Sequence, residues 1–401
     1  MSAGLLRTQI RRTMNILHKG ITLLLRSAIT GEKISLPEDF RLEDADELIR
    51  SQSLLPMAYL GAYNCGISPE TELMRRYKQQ YFRILLRHEQ QMQAVGTICR
   101  AFEENGIDYA LLKGCIMKPL YPNPEMRMMG DADILIRKEQ YEKIRTVMKN
   151  IGFEEGDENI CDISWVSKKL LTELHHRLYG DTHRDFLRYF DNIWEKAVPD
   201  SGNRYQLSVE DHYLHIFTHM TKHFRNYGIG SRQIVDLQVY RMAHPNMDQT
   251  KVNAGLKVMG LTDFHETILR LLRVWFEEEE ETALTTAVTE YVLGCGTWGN
   301  TENSMQTDAL IRTSGNTKKA RKDSLFRVIF PKLSYMQPAY NILFRYPWLQ
   351  PVFWVVRWVD ILLHRRKNIG KRMGIIRDMS DEKISQRKAF LDAVGLKFYK
   401  K

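Results

Sequence analysis

Apolar residues recur every three or four positions through most of this chain, a spacing that predicts helices. Residues 1 to about 84 read as helices with a loop at "GEKISLPEDF". "QQMQAVGTICRAFEENGI" continues the helical period and stops at Gly106. The period then changes. "DYALLKG" is a short apolar strand ending in glycine, "CIMKPLY" a short helix, and "YPNPEMR" a proline-rich loop. "DADILIR" is a second strand, "KEQYEKIRTVMKNIGF" an amphipathic helix stopping at Gly152, and "KKLLTELHHRL" a third strand. From about 184 to 297 the chain is helical again, through "HRDFLRYFDNIWEKAV", "SVEDHYLHIFTHMTKHF" and "SRQIVDLQVYRMA". The polar run 300–323 lacks a period and predicts a loop or linker; the remainder is basic, aromatic and helical at its end. The pattern gives an α+β fold, a small mixed-sheet core embedded in a mostly helical chain. It divides into a helical region 1–84, a core 85–183, a helical domain 184–299, a linker 300–323 and a tail 324–401.

The composition, 43% hydrophobic and 27% charged over 401 residues, suits a globular protein with a sizeable core. A formal charge of +9 favours an anionic partner: a nucleotide, a nucleic acid or an acidic membrane surface. Cys65, Cys99, Cys115, Cys161 and Cys295 are scattered without a CxxC, as expected of reduced thiols. At the N-terminus, Arg12, His18, Lys19 and Arg26 break the apolar stretches, so an amphipathic helix is expected rather than a secretory signal. The most apolar run, "YPWLQPVFWVVRWVDILL", is interrupted by Pro351, Arg357 and Asp360 and is not a spanning helix. These features together predict a cytoplasmic location.

Candidate chemistry starts with Asp131 and Asp133 in "GDADILI". On a strand, residues two apart share a face, so both carboxylates project together while Ile134 and Ile136 face the other way. Paired carboxylates repel and resist burial unless a positive charge sits between them. A divalent ion such as magnesium answers that need and brings phosphate oxygens with it. A bare DxD is common at solvated strand ends, but its surroundings here are suggestive. Lys113 and Gly114 end the preceding strand at a turn suited to phosphate, Arg127 lies in the intervening loop, and Glu173 lies on the third strand. His175 alternates onto the face of Glu173.

The order strand–"LKG"–loop–Arg–"DADILI"–helix–"ELH" resembles the nucleotidyltransferases of the DNA polymerase β superfamily. It is most similar to the bacterial branch of uncharacterised nucleotidyltransferases, from about Leu85 to Ala243. The resemblance implies that Gly114 takes the turn glycine that holds the triphosphate, and that Asp131, Asp133 and Glu173 are the catalytic, metal-binding carboxylates. Lys113 and Arg127 match anion ligands of this branch. Cys115 departs from the serine or glycine usual after the turn glycine, and a thiol is a poorer phosphate donor. The resemblance implies a Mg2+-dependent transfer, with two ions, of an NMP from an NTP to an acceptor hydroxyl, releasing pyrophosphate. Protein, RNA, sugar phosphate and small molecule are all open as acceptor. A rival reading keeps the fold as a catalytically weak nucleotide-sensing or nucleic-acid-binding module.

Two further features are less specific. His212, His215, His219 and His223 fall within an arc of roughly 80° on one helix. This is a polar face against the cleft, with His219 the candidate for nucleotide contact. Its i,i+4 spacing also suits zinc, although no HExxH is present. The tail mixes tryptophan, tyrosine, phenylalanine, arginine and lysine. It either packs its aromatic side on the protein or meets a membrane interface.

Overall fold

The two apolar runs flanking the proline-rich loop become the inner strands of a sheet. In the computed structural model, β1 (Tyr109–Leu111) pairs antiparallel with β2 (Asp131–Ile136), with Leu111 opposite Ile134. The described residues are 3–297, 299–313, 317–340, 342–364 and 366–397. Among them, β3 (Glu154–Glu158), β4 (Asp162–Val166), β5 (Leu171–His175), β6 (Ala197–Ser201) and β7 (Arg204–Leu207) complete a seven-stranded sheet of order β3-β4-β5-β2-β1-β7-β6. β2–β5 and β1–β7 are parallel and the other pairs antiparallel, so the sheet is mixed.

The helices that precede the sheet are α1 (Ala3–Thr30), α2 (Leu42–Ser51), α3 (Leu55–Asn64) and the long α4 (Glu72–Glu104). α5 (Lys113–Met117), α6 (Tyr141–Asn150) and α7 (Arg184–Phe190) lie between strands. After the sheet come α8 (Val209–Asn226), α9 (Ser231–Ala243), α10 (Gln249–Met259), α11 (Thr262–Phe276) and α12 (Ala283–Cys295). One compact unit holds the chain up to Thr221 together with Ile229–Thr297; a second holds Lys222–Gly228 and the described residues after 298.

Alternation along β2 sorts its two faces. Ala132, Ile134 and Ile136 join Ala94, Val95, Ile98 and Phe102 of α4 and Ile144 and Met148 of α6 in one buried cluster. That burial leaves Asp131 and Asp133 on the opposite face.

Several expected boundaries move. α4 runs through position 84, from Glu72 to Glu104, and its C-terminal half carries Ala94, Val95, Ile98 and Phe102 into the core cluster. The sheet extends past 183: β7 pairs with β1, and the expected helix "HRDFLRYFDNIWEKAV" ends as α7 at Phe190. The β6–β7 hairpin turns at Gly202, whose φ of +57° suits glycine. β3 escapes the hydrophobic pattern because all five of its residues are exposed. The expected linker 300–323 lies largely in helices α13 (Thr301–Thr313) and α14 (Thr317–Ile329). Met305, Ala309 and Leu310 form a thin stripe there, packed on Met379 and Ile384, that the polar composition conceals.

A buried glutamine fixes the start of α9. Gln52 Nε2 donates to the carbonyls of Val292 (3.0 Å) and Leu293 (2.7 Å), while its Oε1 accepts from Ser231 N (2.9 Å) and Ser231 Oγ (3.1 Å). Gln52→Ala strands these groups in a dry interior. The expected loss is on the order of 2–4 kcal/mol, read as a lowered midpoint in urea unfolding.

Candidate active site

Parallel pairing of β2 and β5 sets Asp133 beside Glu173 and Asp131 beside Leu171. Antiparallel pairing of β4 sets Asp162 opposite His175. Asp131, Asp133, Glu173, His175 and Asp162 therefore share one face of three adjacent strands. His175 Nε2 lies 2.8 Å from Asp133 Oδ1 and 3.5 Å from Glu173 Oε2. Its Nδ1 stands 3.7 Å from Asp162 Oδ2, an ion-pair distance without a hydrogen bond. Asp133, Glu173 and His175 offer ligand atoms all within 4.8 Å of one another. Among the described residues no other such group of His, Cys, Asp or Glu occurs, and the histidine stripe of α8 forms none.

The Asp133 side chain is only 4% exposed, and a lone buried carboxylate is costly. Lys113 Nζ donates to Asp133 Oδ1 at 2.6 Å. Burial alone pushes the Asp133 carboxyl up, but Lys113 and His175 outweigh it and hold it well below the usual carboxylate range. Burial likewise pulls Lys113 and His175 down, and their carboxylate partners raise both above their ordinary values. Glu173 is held low by its contact with the His175 ring, 3.5 Å away, against burial. Asp131 is the exception: burial and the nearby charges of Asp133 and Glu173 push it up to about 6. The face thus carries more negative charge than its own cations neutralise.

Lys113 opens α5 with φ +39°, a left-handed conformation worth about 1–3 kcal/mol of strain in a non-glycine residue. Its ammonium reaches Asp133 from there. Gly114 follows, and a Cβ at that position would meet Arg127 Nη1 and Met129 Sδ at 3.0 Å. The glycine therefore admits the loop before β2 to close range.

That loop is clamped by buried polar groups. Arg127 Nε and Nη2 donate to Asp236 Oδ1 (2.7 Å) and Oδ2 (2.9 Å) on α9, and Tyr121 OH donates to the same Oδ1 at 2.6 Å. The planar fork expected to grip phosphate grips a carboxylate instead. Lys118 Nζ donates to Arg127 O (2.6 Å), Arg232 Nη1 to Met128 O (2.6 Å) and Gln91 Nε2 to Met129 O (3.0 Å). Burial, with Arg127 close by, brings Lys118 down to about 8, and burial and Arg127 also lower Arg232.

His219 is half-buried on α8. His215, one turn earlier, is fully buried, and its titration is depressed by burial and by the charge of Lys113. The sequence neighbours Glu154 and Glu155 lie on the exposed edge strand β3, where Glu155 pairs with Arg145 at 3.0 Å. Lys118, Arg232 and Asp236 are components that pattern reading missed. Arg232 and Asp236 stand four apart in "SRQIVD", which reads as an ion pair along one helix although both reach the loop before β2.

A family model described as an uncharacterised nucleotidyltransferase matches residues 38–277, more than half of the chain. No curated protein sequence gives a significant match. Among solved structures, the chain is similar to the antibiotic-resistance factor ANT(2'')-Ia in solution, with 12% identity over 44% of this chain and 92% of that one and a TM-score of 0.31. It is also similar to ANT(2'')-Ia in complex with adenylyl-2''-tobramycin, with 13% identity over 42% of this chain and 95% of that one and a TM-score of 0.28.

The clamp generates a stability prediction. Asp236→Asn leaves the buried Arg127 guanidinium without its counter-charge, an expected cost of about 3–5 kcal/mol in chemical denaturation. Arg127→Lys keeps the charge and loses the two-pronged geometry, so it should cost less than Asp236→Asn. The reverse order would mean that Arg127 does not depend on Asp236.

Proposed function

The chain belongs to the uncharacterised nucleotidyltransferase family, a transferase enzyme class, and we propose that it moves an NMP from an NTP to an acceptor hydroxyl with the help of magnesium. One observation carries this reading: Asp133, Glu173 and His175 converge on one sheet face beside Asp131. The donor set fits a divalent cation, because the carboxylates are ionised, partly dry and short of positive charge. Asp131, Asp133 and Glu173 would hold it. A cation held there would supply positive charge to triphosphate oxygens and to the leaving pyrophosphate.

The chain's own residues supply position and charge. His175 Nε2 orients Asp133 and Glu173 with a single ring. Lys113 keeps Asp133 ionised in its burial. The Glu173 side chain keeps 31% exposure against 4% for Asp133, so Glu173, unlike Asp133, can meet an acceptor hydroxyl and take its proton. The acceptor oxygen then bonds to the α-phosphorus as the bond from that phosphorus to the pyrophosphate oxygen breaks. Lys118, Arg127 and Arg232 hold the loop before β2 in place, and Gly114 lets that loop approach. A pure binding module would have no use for a third carboxylate aligned with the first two.

Labelled NTPs with magnesium and a fractionated acceptor pool test the reading by incorporation of label and release of pyrophosphate. Asp131→Asn and Glu173→Gln should each reduce transfer by a thousandfold or more in a folded protein. Glu154→Gln and Glu155→Gln should leave it near wild type. Transfer surviving in both Asp131→Asn and Glu173→Gln would end the proposal.

Metal linkage has a definite sign. The Asp131 carboxyl, raised to about 6, and His175, also raised, both bind protons more tightly folded than unfolded. Without metal, their contribution to stability falls as pH rises from 5 to 7.5. Below about 6, a proton on Asp131 competes with the cation, and a proton on His175 adds positive charge beside it. The rise in Tm produced by magnesium should therefore be larger at pH 7.5 than at pH 5, as calorimetry would show. An equal rise at both pH values would separate the metal from these groups.

A further inference from the structure

Within the second unit, α15 (Leu333–Met336), α16 (Ile342–Arg345), α17 (Gln350–His364), α18 (Arg366–Asp378) and α19 (Asp381–Ala393) follow α14. α17 has two apolar faces. The aromatic face is used internally: Trp354 Nε1 donates to Pro331 O (2.9 Å) and Trp358 Nε1 to Ile329 O (2.7 Å), and both rings meet Phe330 edge-on. Arg357 Nη1 donates to Val328 O at 2.9 Å on the same side. The opposite face is aliphatic and open. Val352 (56% exposed), Val355 (53%), Val356 (45%), Val359 (51%) and Leu363 (69%) repeat at three- and four-residue intervals down one side. Trp348, just before the helix, is 74% exposed.

The segment of sequence that carries this stripe has one-sided charge. From Lys318 to Arg377 the sequence carries 14 Lys or Arg against 2 Asp or Glu. That surplus exceeds the +9 of the whole chain, so the rest of the protein is net acidic and the basic character belongs to this segment. We propose that the open face of α17 is a docking surface for an anionic lipid bilayer, with the helix lying in the plane of the interface. Aliphatic side chains would enter the headgroup–acyl boundary, and the basic segment that carries the helix would be drawn to acidic headgroups. No helix among the described residues is long and apolar enough to cross a membrane, which suits a helix lying on the surface.

Other occupants fit less well. A nucleic acid would satisfy the cations but leave five aliphatic side chains in water, and the rings of Trp354 and Trp358 are already engaged. A second copy of the chain would set one cationic surface against another. The inference is independent of the proposed transfer chemistry.

Co-sedimentation of the full chain with vesicles tests it. One vesicle is phosphatidylcholine alone; the other has a third of its lipid replaced by phosphatidylglycerol. The wild type should bind the anionic vesicles at least tenfold more strongly, and half-molar salt should weaken that binding. Val355→Glu/Val359→Glu should lose tenfold or more, and Leu363→Glu, at the most exposed position of the stripe, should lose binding in the same direction. Val258→Glu, exposed on α10, should bind like wild type. Thermal unfolding checks that each variant is folded. Three results would overturn the proposal: wild type left in the supernatant with both vesicles; folded stripe variants that sediment like wild type; or wild type that self-associates without lipid and is returned to monomer by the stripe substitutions while binding no vesicle.

Discussion

A buried negative charge at Asp133 is the constraint on which the site depends. A carboxylate with 4% side-chain exposure stays ionised only if its neighbours supply the stabilisation that water would have given. Lys113 and His175 do so, through short contacts with the same oxygen. Their placement fixes much else. Lys113 must leave the end of β1 in a left-handed conformation to reach Asp133, and His175 must sit on β5 in the register that also brings Glu173 alongside. Once the cost of that charge is met, the second and third carboxylates arrive by strand geometry alone. The surplus charge they create is what a divalent cation would answer.

The loop before β2 is the second layer of the same arrangement. It carries the chain from the turn at Gly114 to Asp131, and its polar contacts are nearly all buried. Asp236 anchors Arg127, while Lys118, Arg232 and Gln91 hold the carbonyls of three consecutive residues. α9, which supplies Asp236 and Arg232, starts at Ser231 on the side chain of Gln52. Gln52, the residue just after α2, thus sets the start of a helix that sets the loop that sets the entry to β2. Such a chain of buried contacts keeps carboxylates in place when their mutual repulsion would spread them.

The parts of this site legible in the sequence were those governed by local periodicity. Alternation alone assigned Asp131 and Asp133 to one face, predicted the strand with Glu173, and put His175 on the same side. The helix that follows β2 was legible for the same reason. What pattern reading missed depends on contacts between distant segments. Nothing local in "RMMGD" says that Arg127 will find Asp236, 109 residues later, instead of a phosphate. β3 and β6 were missed because edge strands with exposed residues carry no apolar alternation. The helix at Thr301 was missed because one narrow apolar stripe suffices to pack it in an otherwise polar run.

The central claim is that one sheet face is built to hold a divalent cation against a triphosphate. Crystals of the protein soaked with manganese and a non-hydrolysable NTP, measured at the manganese absorption edge, would test it most directly. The account predicts an anomalous peak at about 2.0–2.3 Å from carboxylate oxygens of Asp133 and Glu173, with Asp131 turned toward it and phosphate oxygens in the remaining positions. An anomalous peak elsewhere, or none while nucleotide is bound and Lys113 still bonds Asp133, would contradict it.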